Sequence, residues 1–154
     1  MRSVNQATMD LVRHFEGLRL KAYRCPAGVW TIGYGSTSGV TPGDTITAEE
    51  AEELLEHDLT EAAMHVDRLV RVPLNENQRG ALASFVLNLG AIAFMSSTLR
   101  DLLNKGQYDA VPRELRRWTK ARHPSTRQLV ELPGLVRRRE AEAALWLTPE
   151  TPTA

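Results

Sequence analysis

The stretch from Thr47 to Val70 restricts the fold more than any other part of the sequence. Thr47-Ala-Glu-Glu is a capping box, in which Thr47 caps a helix and Glu50 occupies its third position. Apolar residues then recur on one face as far as Val70, and Pro73 ends the pattern. The predicted helix of about 24 residues is long for a globular protein, so we expect it to connect two parts of the chain.

The segments on either side of this helix differ in character. Residues 3–15 predict an amphipathic helix with Ser3 as its cap, whereas residues 29–34 are β-branched and aromatic. Cys25-Pro-Ala-Gly predicts the turn of a short β-hairpin. After Pro73 the pattern predicts helices over residues 75–89, 99–104, 108–121 and 135–147, a polar loop at 123–132 and a frayed tail at 149–154.

These elements predict a single domain, residues 1–154, of mostly helical α+β structure. We expect a β-containing lobe over about residues 15–47, a connecting helix over 47–70 and a helical lobe over 71–148, with residues 1–14 packed on the helical lobe. The composition agrees with a folded globular chain, since 42% of residues are apolar and 25% are charged. A single cysteine excludes an internal disulfide, and the apolar runs are too short to cross a bilayer.

The formal net charge is zero, but the charges are segregated along the chain. Residues 44–67 contain nine acids and no Lys or Arg, and residues 100–140 contain eleven basic residues against five acidic ones. The run Arg137–Arg139 has two interpretations: it binds an anionic polymer, or it is a solvated face with one arginine paired to a carboxylate. Consecutive helical residues point about 100° apart, so the run does not form one basic stripe.

Glu16 and Cys25 are the candidates for chemistry. Glu16 lies where an apolar helix ends beside Phe15, so it is either a general acid at a junction between lobes or a solvated Glu. Cys25 lies in a turn next to Arg24, so it is either a nucleophile or base with a lowered pKa or a small buried apolar residue. Thr31 is a β-forming residue whose hydroxyl can orient a water molecule.

Neither a metal site nor a cofactor is predicted. His57 and His65 share a helix face but lie two turns apart, too far to chelate one ion. Gly33-Tyr34-Gly35 lacks the following helix that a phosphate-binding loop requires. The remaining histidines, His14 and His123, add no ligand spacing.

Several motifs, in order along the chain, are similar to those of one known family. Phe15–Tyr23 (FEGLRLKAY) and Gly28–Gly35 (GVWTIGYG) match its active-site segment. Pro73–Gly90 matches the helix that walls its sugar cleft, and Leu132–Glu142 (LPGLVRRREAE) matches its C-terminal signature. The family that these motifs resemble is that of the phage-type lysozymes, glycoside hydrolase family 24. The resemblance covers about residues 10–147 and implies a lysozyme-like α+β fold.

The resemblance implies an endolysin, which hydrolyses the β-1,4 bond between N-acetylmuramic acid and N-acetylglucosamine in peptidoglycan and so lyses the host cell. In the family a catalytic Glu is followed nine residues later by an acid and six residues after that by Thr, which corresponds here to Glu16, Cys25 and Thr31. Glu16 is then the general acid, and Thr31 orients water. Cys25 stands where an Asp is usual and is expected to act as base or nucleophile, with inversion and retention of configuration both open.

The resemblance also suggests residues that contact the substrate. Asn88, Thr98 and Trp118 fall at cleft positions, and Arg137 is the arginine expected near Glu16 and the substrate. Ser36 stands where the family commonly has a His that we interpret as structural, so its replacement is expected to lower local stability rather than activity.

Three alternative functions remain open from the sequence. The chain is a peptidoglycan-binding module with weak or no hydrolysis, or a lytic transglycosylase, or a cysteine hydrolase that uses Cys25 with His14 or His57. The sequence lacks the local motifs of cysteine hydrolases, which disfavours the third.

The expected partner is peptidoglycan, with no nucleic acid and no stable membrane insertion, and the expected state is a monomer. The N-terminal residues are polar and do not resemble a leader. We therefore expect accumulation in the host cytoplasm, export that depends on a holin, and action on the periplasmic cell wall. Some relatives instead carry an N-terminal membrane-anchoring signal.

Overall fold

The fold is known from a computed structural model, which describes residues 2–150. The first helix, α1 (Gln6–Glu16), is capped by the Asn5 side chain, which accepts the backbone N–H of Thr8. The prediction of Ser3 as the cap is wrong. Asn5 takes this place because Asn caps a helix as well as Ser does, and because its amide also donates to Asn77 Oδ1 at 2.9 Å.

The β-hairpin predicted after this helix is confirmed. Strands β1 (Arg19–Arg24) and β2 (Trp30–Gly33) pair antiparallel. In the turn between them, the Cys25 N–H donates to the Val29 carbonyl at 2.9 Å and the Gly28 N–H donates to the Cys25 carbonyl at 2.8 Å. Cys25 is therefore held at the first position of a closed turn.

The long connecting helix, α2 (Ala48–Leu69), is also confirmed. Both bonds of the capping box between Thr47 and Glu50 are present. The helix spans about 33 Å at its usual rise per residue. Gly33, at the end of β2, lies against Ala51 near the start of α2, which joins the hairpin to the helix.

The helical lobe follows Pro73. Asn75 caps its first helix through a second capping box. A turn of 3₁₀ helix covers Tyr108–Ala110. The other elements are α3 (Glu76–Leu89), α4 (Ala91–Met95), α5 (Thr98–Asn104), α6 (Val111–Leu115), β3 (Lys120–Arg122), β4 (Leu129–Glu131) and α7 (Pro133–Leu147).

Two expectations about this lobe are wrong. The helix predicted over residues 108–121 ends at Leu115, and the polar loop predicted over 123–132 contains strand β4, which pairs with β3. Strands of three residues are too short to show an alternating pattern, so the sequence does not reveal them. Residues 151–154 of the predicted frayed tail lie outside the described residues.

The helical lobe is built around α3. Ala81, Leu82 and Phe85 of this helix are fully buried, and it packs against α1, α2 and α7. At Gly80 the contact with α1 is so close that an added Cβ would lie 1.8 Å from Oγ1 of Thr8. Helix α1, which ends at Glu16, therefore packs directly against the backbone of α3.

The lobe that contains β1 and β2 contributes little to this core. Ala22 and Ile32 are buried there, but the main cluster of buried apolar residues within 2–150 consists of residues from α1, α2 and the helical lobe. Tyr34 packs at the edge of that cluster. Within the same range, no helix has both the length and the apolar character required to span a bilayer.

Candidate active site

Glu16, the last residue of α1, is held from two sides. Its Oε1 accepts a hydrogen bond from Arg138 Nη1 at 2.6 Å, and its side chain is 24% exposed. On the other side lies Gly35, where an added Cβ would be 2.8 Å from Glu16 Oε2. Gly35 has φ +92°, a backbone conformation that favours glycine. The carboxylate thus has one fixed orientation and remains partly open to solvent.

Arg138, rather than Arg137, forms the ion pair with Glu16, whereas Arg137 lines the cleft beside it. Successive residues of a helix point about 100° apart, and α7 turns Arg138 towards α1 while Arg137 remains exposed. Arg138 is itself buried, and its remaining nitrogens donate to Glu142 Oε2 at 3.4 Å and to the Ser84 carbonyl at 3.2 Å. These bonds fix the guanidinium that orients Glu16.

The next arginine, Arg139, forms the base of the site. It is fully buried, contacts Glu142 at 2.7 Å and donates to Asn88 Oδ1 at 2.8 Å. Burial lowers the pKa of Arg139 and raises the pKa of Glu142. Because two of the three arginines in the run Arg137–Arg139 are buried and paired with carboxylates, the run is not a surface for an anionic polymer.

Cys25 and Thr31 come together at the hairpin. The backbone N–H of Val29, followed by that of Ala27, lowers the pKa of the half-buried Cys25 thiol. The Thr31 hydroxyl donates to the Val29 carbonyl at 3.0 Å. The turn therefore favours a thiolate through its backbone amides.

A cleft passes Glu16 on both sides. One part, of about 590 Å³, is lined by Glu16, Asn88, Arg137 and Arg138. The other part, of about 440 Å³, includes Gly35 in its wall. Since Gly35 lies against the Glu16 carboxylate, the two parts meet at that carboxylate.

Thr98 and Trp118 lie elsewhere. They line a separate depression of about 290 Å³ together with Glu114 and Arg117. The Trp118 ring packs edge-on against Phe85, with the centroids 5.4 Å apart, and is therefore partly a core residue. The structure brings Asn88 and Arg137 to Glu16, but it does not bring these two.

The second part of the cleft is bordered by polar residues of α2. Ser36 donates to Asp58 Oδ2 at 2.6 Å, which ties the β-containing lobe to α2. His57, Asp58 and Glu61 place three donor atoms within 4.8 Å of one another, an arrangement that spacing among histidines alone does not reveal. This group is the cluster within residues 2–150 that comes nearest to a metal-binding geometry.

Sequence reasoning missed the residues that support Glu16. Arg138 and Glu142 are four residues apart on a helix, which is a detectable ion-pair spacing, and this pattern was the available signal. The role of Gly35 had no signal, because it depends on a carboxylate that is distant in sequence.

Taken together, a two-lobed α+β fold with a carboxylate fixed in the cleft between the lobes defines a lysozyme-like hydrolase. A family model described as phage lysozyme matches residues 13–142. The chain belongs to the phage lysozyme family, and the predicted fold class and enzyme class are confirmed.

Relatives and solved structures agree with this assignment. The endolysin of Acyrthosiphon pisum secondary endosymbiont phage 1 is 43% identical over 143 residues, which cover 93% of this chain and 97% of that protein. The SAR-endolysin of Escherichia phage Mu is 36% identical, with 92% of this chain and 79% of that protein covered. The muramidase domain of SpmX from Asticaccaulis excentricus superimposes with a TM-score of 0.89 at 38% identity. The match covers 97% of this chain and 100% of that domain.

Proposed function

We propose that this enzyme hydrolyses the β-1,4 bond between N-acetylmuramic acid and N-acetylglucosamine, with Glu16 as the general acid. The observation that carries the proposal is the placement of Glu16, which Arg138 and Gly35 hold at the meeting point of the two parts of the cleft. A general acid has to be fixed within hydrogen-bond reach of the leaving oxygen, and this arrangement provides that.

Cys25 is the second group of the mechanism. As a base, its thiolate takes a proton from water, whose oxygen bonds to the anomeric carbon while Glu16 donates its proton to the leaving oxygen. As a nucleophile, the sulfur bonds to that carbon itself, and water later displaces it. The lowered pKa of Cys25 supports both routes, because it increases the thiolate fraction at neutral pH.

Thr31 and the cleft residues complete the proposed site. The Thr31 hydroxyl donates its proton to the Val29 carbonyl, so its oxygen is available to accept a hydrogen bond from the attacking water. The Asn88 side-chain oxygen is engaged by Arg139, which leaves its amide N–H groups for an N-acetyl carbonyl. Arg137, Thr98 and Trp118 are proposed to contact more distant parts of the glycan.

The first experiment replaces the two groups separately. Glu16→Gln should abolish the loss of turbidity of chloroform-treated Gram-negative cells, because an amide cannot donate the required proton. Cys25→Asp should preserve most of it, because a carboxylate performs the same role. Glu49→Gln, an exposed change at the start of α2, is the matched control. Normal lysis by Glu16→Gln would refute the assignment of the acid.

The replacement of Asp by Cys25 favours one second candidate, a lytic transglycosylase. Such an enzyme uses one acid and closes the muramoyl residue on itself, so it needs no group to activate water. Analysis of the released muropeptides separates the two reactions, since hydrolysis yields reducing ends and transglycosylation yields anhydro ends. Binding to sacculi with neither product would instead identify a binding module.

The route to the wall is proposed from the family resemblance. The monomeric enzyme accumulates in the host cytoplasm and reaches the periplasmic wall through a holin. Expression in cells without a holin should then cause lysis only after the membrane is permeabilised. Lysis without permeabilisation would indicate that the enzyme crosses the membrane without a holin. Gel filtration tests the expected monomeric state.

A further inference from the structure

The two parts of the cleft carry opposite charges. Asp58 and Glu61 line the part next to α2. Arg137 and Arg138 line the part next to α7. Arg138 is neutralised by Glu16 and Glu142. Arg137 is therefore the exposed arginine in the part of the cleft next to α7.

The β3–β4 hairpin extends this positive region. Its base is closed by the Leu132 N–H, which donates to the Thr119 carbonyl at 2.9 Å, and Leu132 also lines the cleft beside Glu16. The hairpin therefore begins at the rim of the cleft. At about 3.3 Å per residue, the three-residue strands place Arg122 about 10 Å from that rim, and Arg127 lies in the turn beyond it.

Exposed cations cover the hairpin. Lys120 lies opposite Glu131 in the strand register, which offsets its charge. Arg122 and Arg127 are exposed and form no ion pair with any carboxylate in residues 2–150. Arg122 Nη1 instead donates to the Arg127 carbonyl at 3.0 Å, and the turn is further held by His123 Nδ1, which accepts the N–H of Ser125 at 3.1 Å.

We infer that this basic hairpin, Lys120–Glu131, binds the free carboxylates of the peptide stems of peptidoglycan. The inference rests on the proposed function, and it names the part of the substrate that the hairpin recognises. An anionic stem is attracted to the hairpin and repelled by Asp58 and Glu61 at the other end of the cleft. The charge difference thus sets the direction in which a peptide-bearing glycan lies across Glu16.

The test compares two substrates that differ only in their stems. Gram-negative sacculi carry peptide stems and lack teichoic acid, and an amidase removes the stems to leave the bare glycan. Arg122→Gln/Arg127→Gln should lower kcat/KM about fivefold on intact sacculi at low salt and leave kcat/KM on bare glycan unchanged. The loss should shrink at high salt, because the attraction is screened.

Arg71→Gln/Lys105→Gln is the control, since it removes two exposed cations that line neither part of the cleft. It should leave both substrates unaffected. An equal loss on both substrates, or no loss on either, would overturn the inference while wild-type hydrolysis still stands. Failure of the wild-type enzyme to release reducing ends from either substrate would instead refute the proposed function.

Discussion

At the scale of single residues, the position of one carboxylate depends on the absence of one carbon atom. Glu16 Oε2 occupies the space that a Cβ at position 35 would fill. Arg138 binds the other oxygen, so the carboxylate cannot move aside without losing its ion pair. Gly35 therefore fixes the position of this carboxylate.

Gly35→Ala is expected to reduce the rate of lysis about a hundredfold, because a misplacement of about 1 Å is enough to have that effect. Gly39→Ala is the matched control: Gly39 also has a positive φ, +68°, but an added Cβ there meets nothing within 4 Å. Lysis rates and circular dichroism of both variants are the measurements. Equal losses in the two variants would assign the effect to backbone strain rather than to Glu16.

The thiol of Cys25 predicts a particular dependence on pH. Activity should rise with pH as the thiol ionises, and the midpoint of the rise should lie below the ordinary thiol pKa of about 8.5, because the Val29 N–H lowers the pKa of Cys25. Cys25→Asp should remove this rise above pH 6, since an aspartate is already ionised there. Profiles of kcat/KM against pH that coincide for the two proteins would exclude a thiolate in the reaction.

These residues also mark how far sequence reasoning reached. Glu16, Cys25 and Thr31 could be proposed as catalytic residues because their motif is local and ordered along the chain. The arginine that pairs with Glu16 was predicted at position 137 but is Arg138, because the side of a helix that faces a given partner depends on tertiary packing. Such tertiary contacts leave no periodicity in the sequence.

At the scale of elements, α1 and α3 meet through the backbone of Gly80. Gly80→Ala gains about 1 kcal/mol of helix propensity, but it forces apart two helices whose contact has no room for a methyl group. The expected net loss is about 2 kcal/mol in the free energy of unfolding, measured by urea denaturation.

Gly134→Ala provides the control for this change. Gly134 also lies in a helix, but the nearest atom to an added Cβ is Arg137 Nη2 at 4.0 Å. This variant should be as stable as the wild type or more stable. If Gly80→Ala were stabilised to the same degree, the close packing of α1 on α3 would be disproved.

The elements that could be predicted are those with a capping residue or a regular apolar pattern. The capping box at Thr47 identified the start of α2, and the helical spacing of apolar residues after Pro73 identified α3. The β3–β4 hairpin escaped prediction because its strands are short and its residues polar, so neither period nor composition distinguishes it from a loop. The last helix was predicted to begin at residue 135, whereas α7 begins at Pro133, a first-turn position that proline favours.

At the scale of the whole molecule, the two lobes should differ in stability. The main cluster of buried apolar residues belongs to α1, α2 and the helical lobe, and the β-containing lobe is attached through contacts such as Ser36 with Asp58. Amide hydrogen exchange should therefore show opening of residues 19–46 at a free energy at least about 2 kcal/mol below that of α3. Equal protection of the two regions would indicate a single cooperative unit.

The ion pair between Glu16 and Arg138 joins residues 122 positions apart. During synthesis on a ribosome, α1 and its acid emerge early, whereas α7 emerges among the last elements of the described chain. Until α7 docks, the Glu16 carboxylate lacks the cation that orients it. A growing chain, or one cut before α7, would consequently carry its acid without a working geometry, so the capacity to cut the wall would arrive only when this late helix is in place.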